Sequence, residues 1–217
     1  MIDEDEDVGF GGCALDSSYI FHSSPLPDSV HITPSYLGNR LFSVSSTEHF
    51  IATGGKVHRL KLALSTATEN NLSPTIPFQS ISAESVSTLE HPSLISSMAV
   101  RSKNGFCLGS IDESGNTQVS YLEGENWRSE MISASVSDGE SGWCGAEFDP
   151  INENHIYTAR GFQRCMSLFD LPTRTLLRTV HCTHNPTSLT VTDEGLALMC
   201  EHNQVSVWDL RASERKG

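Results

Sequence analysis

Residues 187–210 read TSLTVTDEGLALMCEHNQVSVWDL and contain three strand-like runs in succession. The runs TSLTVT, LALMCE and QVSVWDL are rich in Val, Leu and Thr, and short polar segments separate them. Runs of this length, bounded by Gly, Asn and Asp, are typical of strands in an antiparallel sheet. The stretch therefore predicts one compact unit of three strands.

Similar units occur upstream, beginning near Arg40, Ser96 and Trp143. From Ser96 to the end of the chain the units follow one another at roughly 45 residues, which is the period of a β-propeller blade. No long amphipathic helix interrupts them. We therefore expect an all-β chain, a β-propeller with about four recognisable blades in a partial or incomplete ring.

The predicted blades occupy residues 37–211. A Ser/Thr/Pro-rich stretch at about 65–90 separates the first two, and its composition predicts a surface insertion with little structure of its own. Residues 1–36 form an acidic leader and a polar connector, which is a candidate for the end of a preceding blade. Residues 212–217 form a polar tail.

Particular residues add to the repeat pattern. Trp208-Asp209 ends a third strand, His91 precedes a first strand, and Asp112 follows a second strand. On these residues the repeat resembles the WD40-type (transducin-like) WD repeats, in a divergent form. The resemblance implies a structural network, important for folding and not for catalysis, in which the turn Asp accepts a hydrogen bond from the His. Its members would be His91, Asp112, His184, Trp208 and Asp209.

The sequence also departs from that family's pattern. No Gly precedes His91 or His184, since Glu90 and Thr183 stand there. In the unit at 143–180, Phe162-Gln163 takes the place of the expected turn acid.

The charge balance excludes some partners. The chain has 27 acidic and 14 basic residues, for a net charge of −13, and an acidic surface repels nucleic acid. No apolar run reaches the ~18 residues of a membrane span, and the acidic N-terminus does not resemble a signal peptide. We therefore expect a cytoplasmic or nuclear protein. The six cysteines form no CxxC and are expected to be reduced, buried small side chains.

No pattern for catalysis or cofactor binding emerges. His181-Cys182-Thr183-His184 offers three ligand types, but no second pair completes a zinc site. The sequence has no GxSxG elbow, and Gly54-Gly55-Lys56 lacks the frame of a phosphate-binding loop. We expect no enzyme, no metal and no cofactor.

Propellers present loops and blade ends on a rigid frame, so the expected function is a scaffold that binds other proteins. An alternative remains open. The WDLR at 208–211 resembles the motif by which WD-repeat substrate receptors of cullin-RING ubiquitin ligases contact the ligase adaptor, with Arg211 in that role. Ser24, Thr33 and Ser73 each precede a proline in a polar connector and are candidate phosphorylation sites.

A closed ring of seven such blades needs roughly 300 residues. The present sequence has 217 residues, so either another chain closes the ring or the sequence is part of a longer protein. We expect the second, because exposed blade edges favour aggregation.

Overall fold

A computed structural model describes residues 39–43, 48–64, 78–86, 88–102, 105–133 and 141–211. These residues form fifteen β-strands, and none of them lies in a helix. The strands are β1 (Asn39–Ser43), β2 (Glu48–Thr53), β3 (Lys56–Leu64), β4 (Phe78–Ser85), β5 (Ile95–Arg101), β6 (Cys107–Asp112), β7 (Thr117–Glu123), β8 (Asn126–Ser133), β9 (Cys144–Phe148), β10 (His155–Arg160), β11 (Cys165–Asp170), β12 (Thr175–His181), β13 (Pro186–Val191), β14 (Ala197–Glu201) and β15 (Gln204–Trp208).

The strands assemble into four antiparallel sheets in chain order. The first sheet is β1-β2-β3-β4, the second β5-β6-β7-β8, the third β9-β10-β11-β12, and the fourth β13-β14-β15. Within each sheet every strand pairs with the next one in sequence, which is the meander arrangement of an antiparallel sheet. The all-β prediction is confirmed for the described residues, which form a succession of similar sheets.

Two of the strands differ from the sequence-based expectation. β4 lies inside the stretch at about 65–90 that composition predicted to be an unstructured insertion, and it pairs with β3. A strand at the edge of a sheet can be polar, because its side chains meet solvent while backbone pairing holds it in place. β8 was not predicted either; its exposed and buried side chains alternate at the start, and it pairs with β7.

The hydrophobic core lies between successive sheets. On β6, Leu108 packs with residues of the first sheet, whereas Cys107 and Ile111 pack with residues of the third. This division follows from the two-residue period of a strand, which sends alternate side chains to opposite faces. Phe50 of the first sheet meets Trp127 of the second edge-to-face, with 6.1 Å between ring centroids. Each such buried side chain contributes about 1.5–3 kcal/mol.

The first strands of successive sheets lie side by side: β5 packs against β9, β9 against β13, and β1 against β5. One side chain joins two of them directly. The hydroxyl of Ser96 on β5 donates to the carbonyl oxygen of Cys144 on β9 (2.9 Å) and accepts from its backbone N–H (3.0 Å). The sheets therefore meet along their first strands.

Candidate functional site

A buried polar network lies where the chain enters the second sheet. His91, 3% exposed, precedes β5; its Nε2 lies 2.8 Å from the hydroxyl of Ser110, and its Nδ1 lies 3.4 Å from Oδ2 of Asp112. Ser110 and Asp112 are two residues apart on β6 and so share one face of that strand. The structure thus brings His91 and Asp112 together, and it adds Ser110, which sequence reasoning missed.

Asp112 also organises the turn that follows β6. Its Oδ1 accepts from the backbone N–H groups of Ser114 (3.0 Å) and Asn116 (2.8 Å), and its Oδ2 accepts from the side-chain amide of Asn116 (2.8 Å). Burial alone would raise the pKa of Asp112, but the nearby ring of His91 and hydrogen bonds from Asn116 outweigh it and hold the pKa below its usual value. Asp112 is therefore an ionised structural residue, and both oxygens of its carboxylate accept hydrogen bonds.

The loop that enters each sheet also contacts the preceding sheet, and we call each such place a junction. A junction joins the entering loop to the turn between the second and third strands of the preceding sheet. At the first junction, His91 N–H donates to Gly55 O and Ile95 N–H donates to Gly54 O, both at 2.9 Å. Each sheet is thus fixed to its predecessor by backbone hydrogen bonds as well as by apolar packing.

The second and third junctions repeat this arrangement. At the second, Ser141 N–H donates to Glu113 O at 2.7 Å, and the carbonyl of Ser141 accepts from Phe162 N–H at 2.8 Å. At the third, Cys182 N–H donates to Arg164 O at 2.7 Å. The repetition concerns backbone geometry, which the residue types at these positions do not reveal.

The last residue of the second strand differs from sheet to sheet. In the fourth sheet it is Glu201, fully buried, whose Oε2 accepts from the backbone N–H of His184 at 2.9 Å. Burial would raise the pKa of Glu201, but hydrogen bonds from the entering loop and from Ser206 lower it overall. In the third sheet the position is Arg160, which donates to Gly115 O at 2.9 Å and to the hydroxyl of Ser133 at 3.0 Å. The structural equivalent of Asp112 in that unit is therefore Arg160, and not Phe162-Gln163 as the sequence had indicated; the arginine reaches back to the second sheet.

His184 does not occupy a position like that of His91. Its ring is exposed and lies 5.7 Å, between centroids, from the ring of His202. Only its backbone N–H contacts a carboxylate, that of Glu201.

Trp208, Asp209 and Arg211 lie at the end of the fourth sheet. The indole of Trp208 packs beside the core between the third and fourth sheets. Asp209 Oδ1 accepts from the backbone N–H and from Nε of Arg211, both at 3.0 Å, which raises the pKa of the arginine. The guanidinium of Arg211 is therefore held by its neighbour, with about a third of its side chain exposed.

The edge of the fourth sheet exposes apolar side chains. β15 pairs with β14 and with no other strand among the described residues, whereas β3, β7 and β11 each pair with a fourth strand. On β15, Val205 and Val207 are 60% and 59% exposed. Exposed apolar residues on an unpaired strand edge are typical of a surface that receives another strand.

The cysteines and the candidate modification sites complete the survey. Cys107, Cys144, Cys165 and Cys182 are free and buried, as expected, but Cys200 is exposed. Ser24, Thr33 and Ser73 lie outside the described residues, as do Cys13, the predicted leader and connector at 1–36 and the predicted tail at 212–217. Within the described ranges no three His, Cys, Asp or Glu side chains converge as metal ligands, and no helix there could cross a membrane.

Neither a scan against protein-family models nor a search of the curated proteins finds a match to this chain. The resemblance to WD repeats therefore stays a prediction.

Proposed function

We propose that the chain forms blades of a WD-type propeller and acts as a non-enzymatic scaffold that binds other proteins. The side-by-side first strands support the propeller, because sheets that meet along one strand each would radiate from a common axis. The four buried cysteines form no disulfide with one another, which fits a place in the cytoplasm or nucleus. The ring would be completed by further sequence of the same protein or by another chain.

The exposed edge of β15 is the observation that carries the scaffold proposal. In the other three sheets the corresponding edge is covered by β4, β8 or β12. Further sequence of the same protein or another chain could cover this edge, and we propose the second: an extended segment of a partner protein pairs with β15 as an antiparallel strand. Its backbone would pair with the free edge, and apolar side chains at alternate positions would lie beside Val205 and Val207.

A lysine at Val207 tests this edge. Val207 is already exposed, so Val207→Lys should leave the fold intact while placing a charge that a pairing strand must desolvate. Leu177→Lys is the matched control, since Leu177 is 49% exposed on the outer strand of the third sheet. The amount of partner protein recovered in quantitative affinity purification should fall by at least about tenfold with Val207→Lys. Recovery with Leu177→Lys should equal that of the wild type. Equal recovery with both variants would contradict the proposal, as would a hydrolase activity that purifies with the chain.

The ubiquitin-ligase receptor is the second candidate. The pairing with Asp209 presents a fixed, partly exposed guanidinium at Arg211, which suits contact with an acidic or polar partner surface. Arg211→Ala should then abolish binding of the ligase adaptor in a pull-down. Undiminished binding by that variant would remove this candidate and leave the scaffold proposal unaffected.

A further inference from the structure

A shallow cavity of about 420 Å³ opens at the third junction, between the third and fourth sheets. Its lining residues come from three separate segments: Arg164 from the turn after β10, His184, Asn185 and Thr187 from the loop and strand that enter the fourth sheet, and His202 from the turn after β14. The volume is that of a small polar ligand or of one side chain of a partner.

The cavity gathers hydrogen-bond donors of positive or neutral charge in a strongly acidic chain. The net charge is −13, yet no carboxylate lines the cavity. The carboxylate nearest in sequence, Glu201, is fully buried and accepts hydrogen bonds from the backbone of His184 and from the hydroxyl of Ser206. An anion that enters the cavity therefore meets a guanidinium and two imidazoles. Only the carboxylate of Glu201 opposes their attraction, and it already accepts hydrogen bonds within the protein.

The donors are also oriented. Nε of Arg164 donates to Oδ1 of Asn185 at 3.0 Å. This bond fixes the orientation of the Asn185 amide, and the NH₂ group of Asn185 is left to donate to a ligand. Among the described residues no partner accepts from the terminal nitrogens of Arg164, and these are the two donors that bind phosphate in a bidentate manner.

Two residues that line the cavity have a backbone conformation that favours glycine, although neither is glycine. Arg164 and His202 have φ of 47° and 53° and are two of the three non-glycine residues with positive φ among the described residues. Glycine adopts this conformation without steric cost, whereas other residues are strained in it. Tight hairpin loops require positive φ, and at these two loop positions the chain has side chains that line the cavity.

We propose that this cavity binds the phosphate monoester of a phosphorylated serine or threonine in a partner protein. A phosphate monoester has a charge near −2 and three acceptor oxygens, which match a guanidinium, two imidazoles and an amide better than a carboxylate does. Nucleic acid fits poorly, because it needs a long basic footprint and this chain offers one compact site on an acidic surface. The site is distinct from the β15 edge and goes beyond the scaffold proposal.

An NMR titration of the full chain with four probes tests the proposal. The probes are inorganic phosphate and three five-residue peptides of otherwise identical sequence, with phosphoserine, serine or glutamate at the centre. The imidazole signals of His184 and His202 should shift with phosphate and with the phosphoserine peptide, and the phosphoserine peptide should bind most tightly. Phosphate binding that the peptide does not improve would restrict the site to free anions and overturn the assignment to a partner protein. No shift with either probe, or equal binding of the glutamate peptide, would also overturn it.

Two glycine variants separate binding from folding. Arg164→Gly removes the guanidinium at a position where glycine is favoured, so the melting temperature should not fall, while affinity for the phosphoserine peptide should fall at least about tenfold. Arg174→Gly is the matched control, because Arg174 has φ of 56°, lies in the turn between β11 and β12, and is remote from the cavity lining. Equal affinity in the two variants would refute the proposal. Val207→Lys should bind the peptide as wild type does, so that this test does not depend on the β15 edge.

Discussion

Replacing Asp112 by alanine should cost about 3–5 kcal/mol of the free energy of unfolding, which is typical when one partner of a buried charged network is removed. The carboxylate accepts three hydrogen bonds at 2.8–3.0 Å and lies 3.4 Å from Nδ1 of His91. Alanine removes the carboxylate acceptor of these hydrogen bonds at a fully buried position. Since small domains are stable by about 5–15 kcal/mol, the variant should still fold at low temperature but unfold at much lower urea concentration.

A milder change and a control sharpen this prediction. Asp112→Asn keeps one acceptor oxygen but turns an NH₂ group toward the Asn116 amide, so it should cost about 1–3 kcal/mol. Asp170→Ala is the control, because Asp170 also caps a turn, through Thr173, but in an exposed position. It should shift the urea midpoint far less. If Asp112→Ala and Asp170→Ala shifted the midpoint equally, the buried network would not have the role assigned to it.

The pH dependence of the same variants gives an independent check. A lowered folded-state pKa for Asp112 means that its stabilisation is present above the unfolded pKa of about 4 and is lost as the pH falls through the folded value. The stability difference between wild type and Asp112→Asn should therefore be constant above pH 5 and narrow below pH 4. A difference that widened on acidification would refute the assignment of charge to Asp112.

Three further predictions follow from particular contacts. In Gly55→Ala the new Cβ would lie 2.3 Å from the carbonyl oxygen of His91, so the first junction must shift; thermal or urea unfolding should show a loss of about 1–3 kcal/mol, and no loss would contradict the close approach. Burial raises the pKa of Glu147 to about 7, so its stability contribution is complete below the unfolded value of 4.5 and declines as the pH rises to 7; Glu147→Gln should gain about 1–3 kcal/mol over wild type at pH 8 and nothing at pH 4, whereas a gain at both would exclude ionisation as the cause. Among the described cysteines only Cys200 should react with a thiol reagent in the native state, as peptide mass mapping would show; rapid labelling of the buried Cys144 would contradict the packing.

Much of the strand content could be predicted from the sequence, because strand periodicity and turn residues are local signals. The last unit shows this well: its three predicted runs coincide with β13, β14 and β15, and the DEG turn includes Gly195 at φ of 76°. The pairing of His91 with Asp112 was predicted only through the resemblance to WD repeats, in which a His before the first strand meets an Asp after the second.

The remaining features depend on tertiary contacts that residue types do not reveal. β4 and β8 are outer strands, so the hydrophobic pattern that marks an inner strand is weak in them. Glu201 and Arg160 both end a second strand, yet they have opposite charges and use different partners. A search for one residue type at the end of the second strand could not find both Glu201 and Arg160. What the two positions share is the backbone geometry of the junction, which the residue types do not reveal.

An NMR measurement between the second and third sheets bears most directly on the way the sheets pack. Ser96 Oγ lies 3.0 Å from the backbone nitrogen of Cys144, across two sheets and 48 residues of sequence. A nuclear Overhauser effect between the β-protons of Ser96 and the amide proton of Cys144 is therefore expected in the full chain. Contacts from Ser96 only to its own sheet, with no effect at Cys144, would contradict the packing of first strand against first strand.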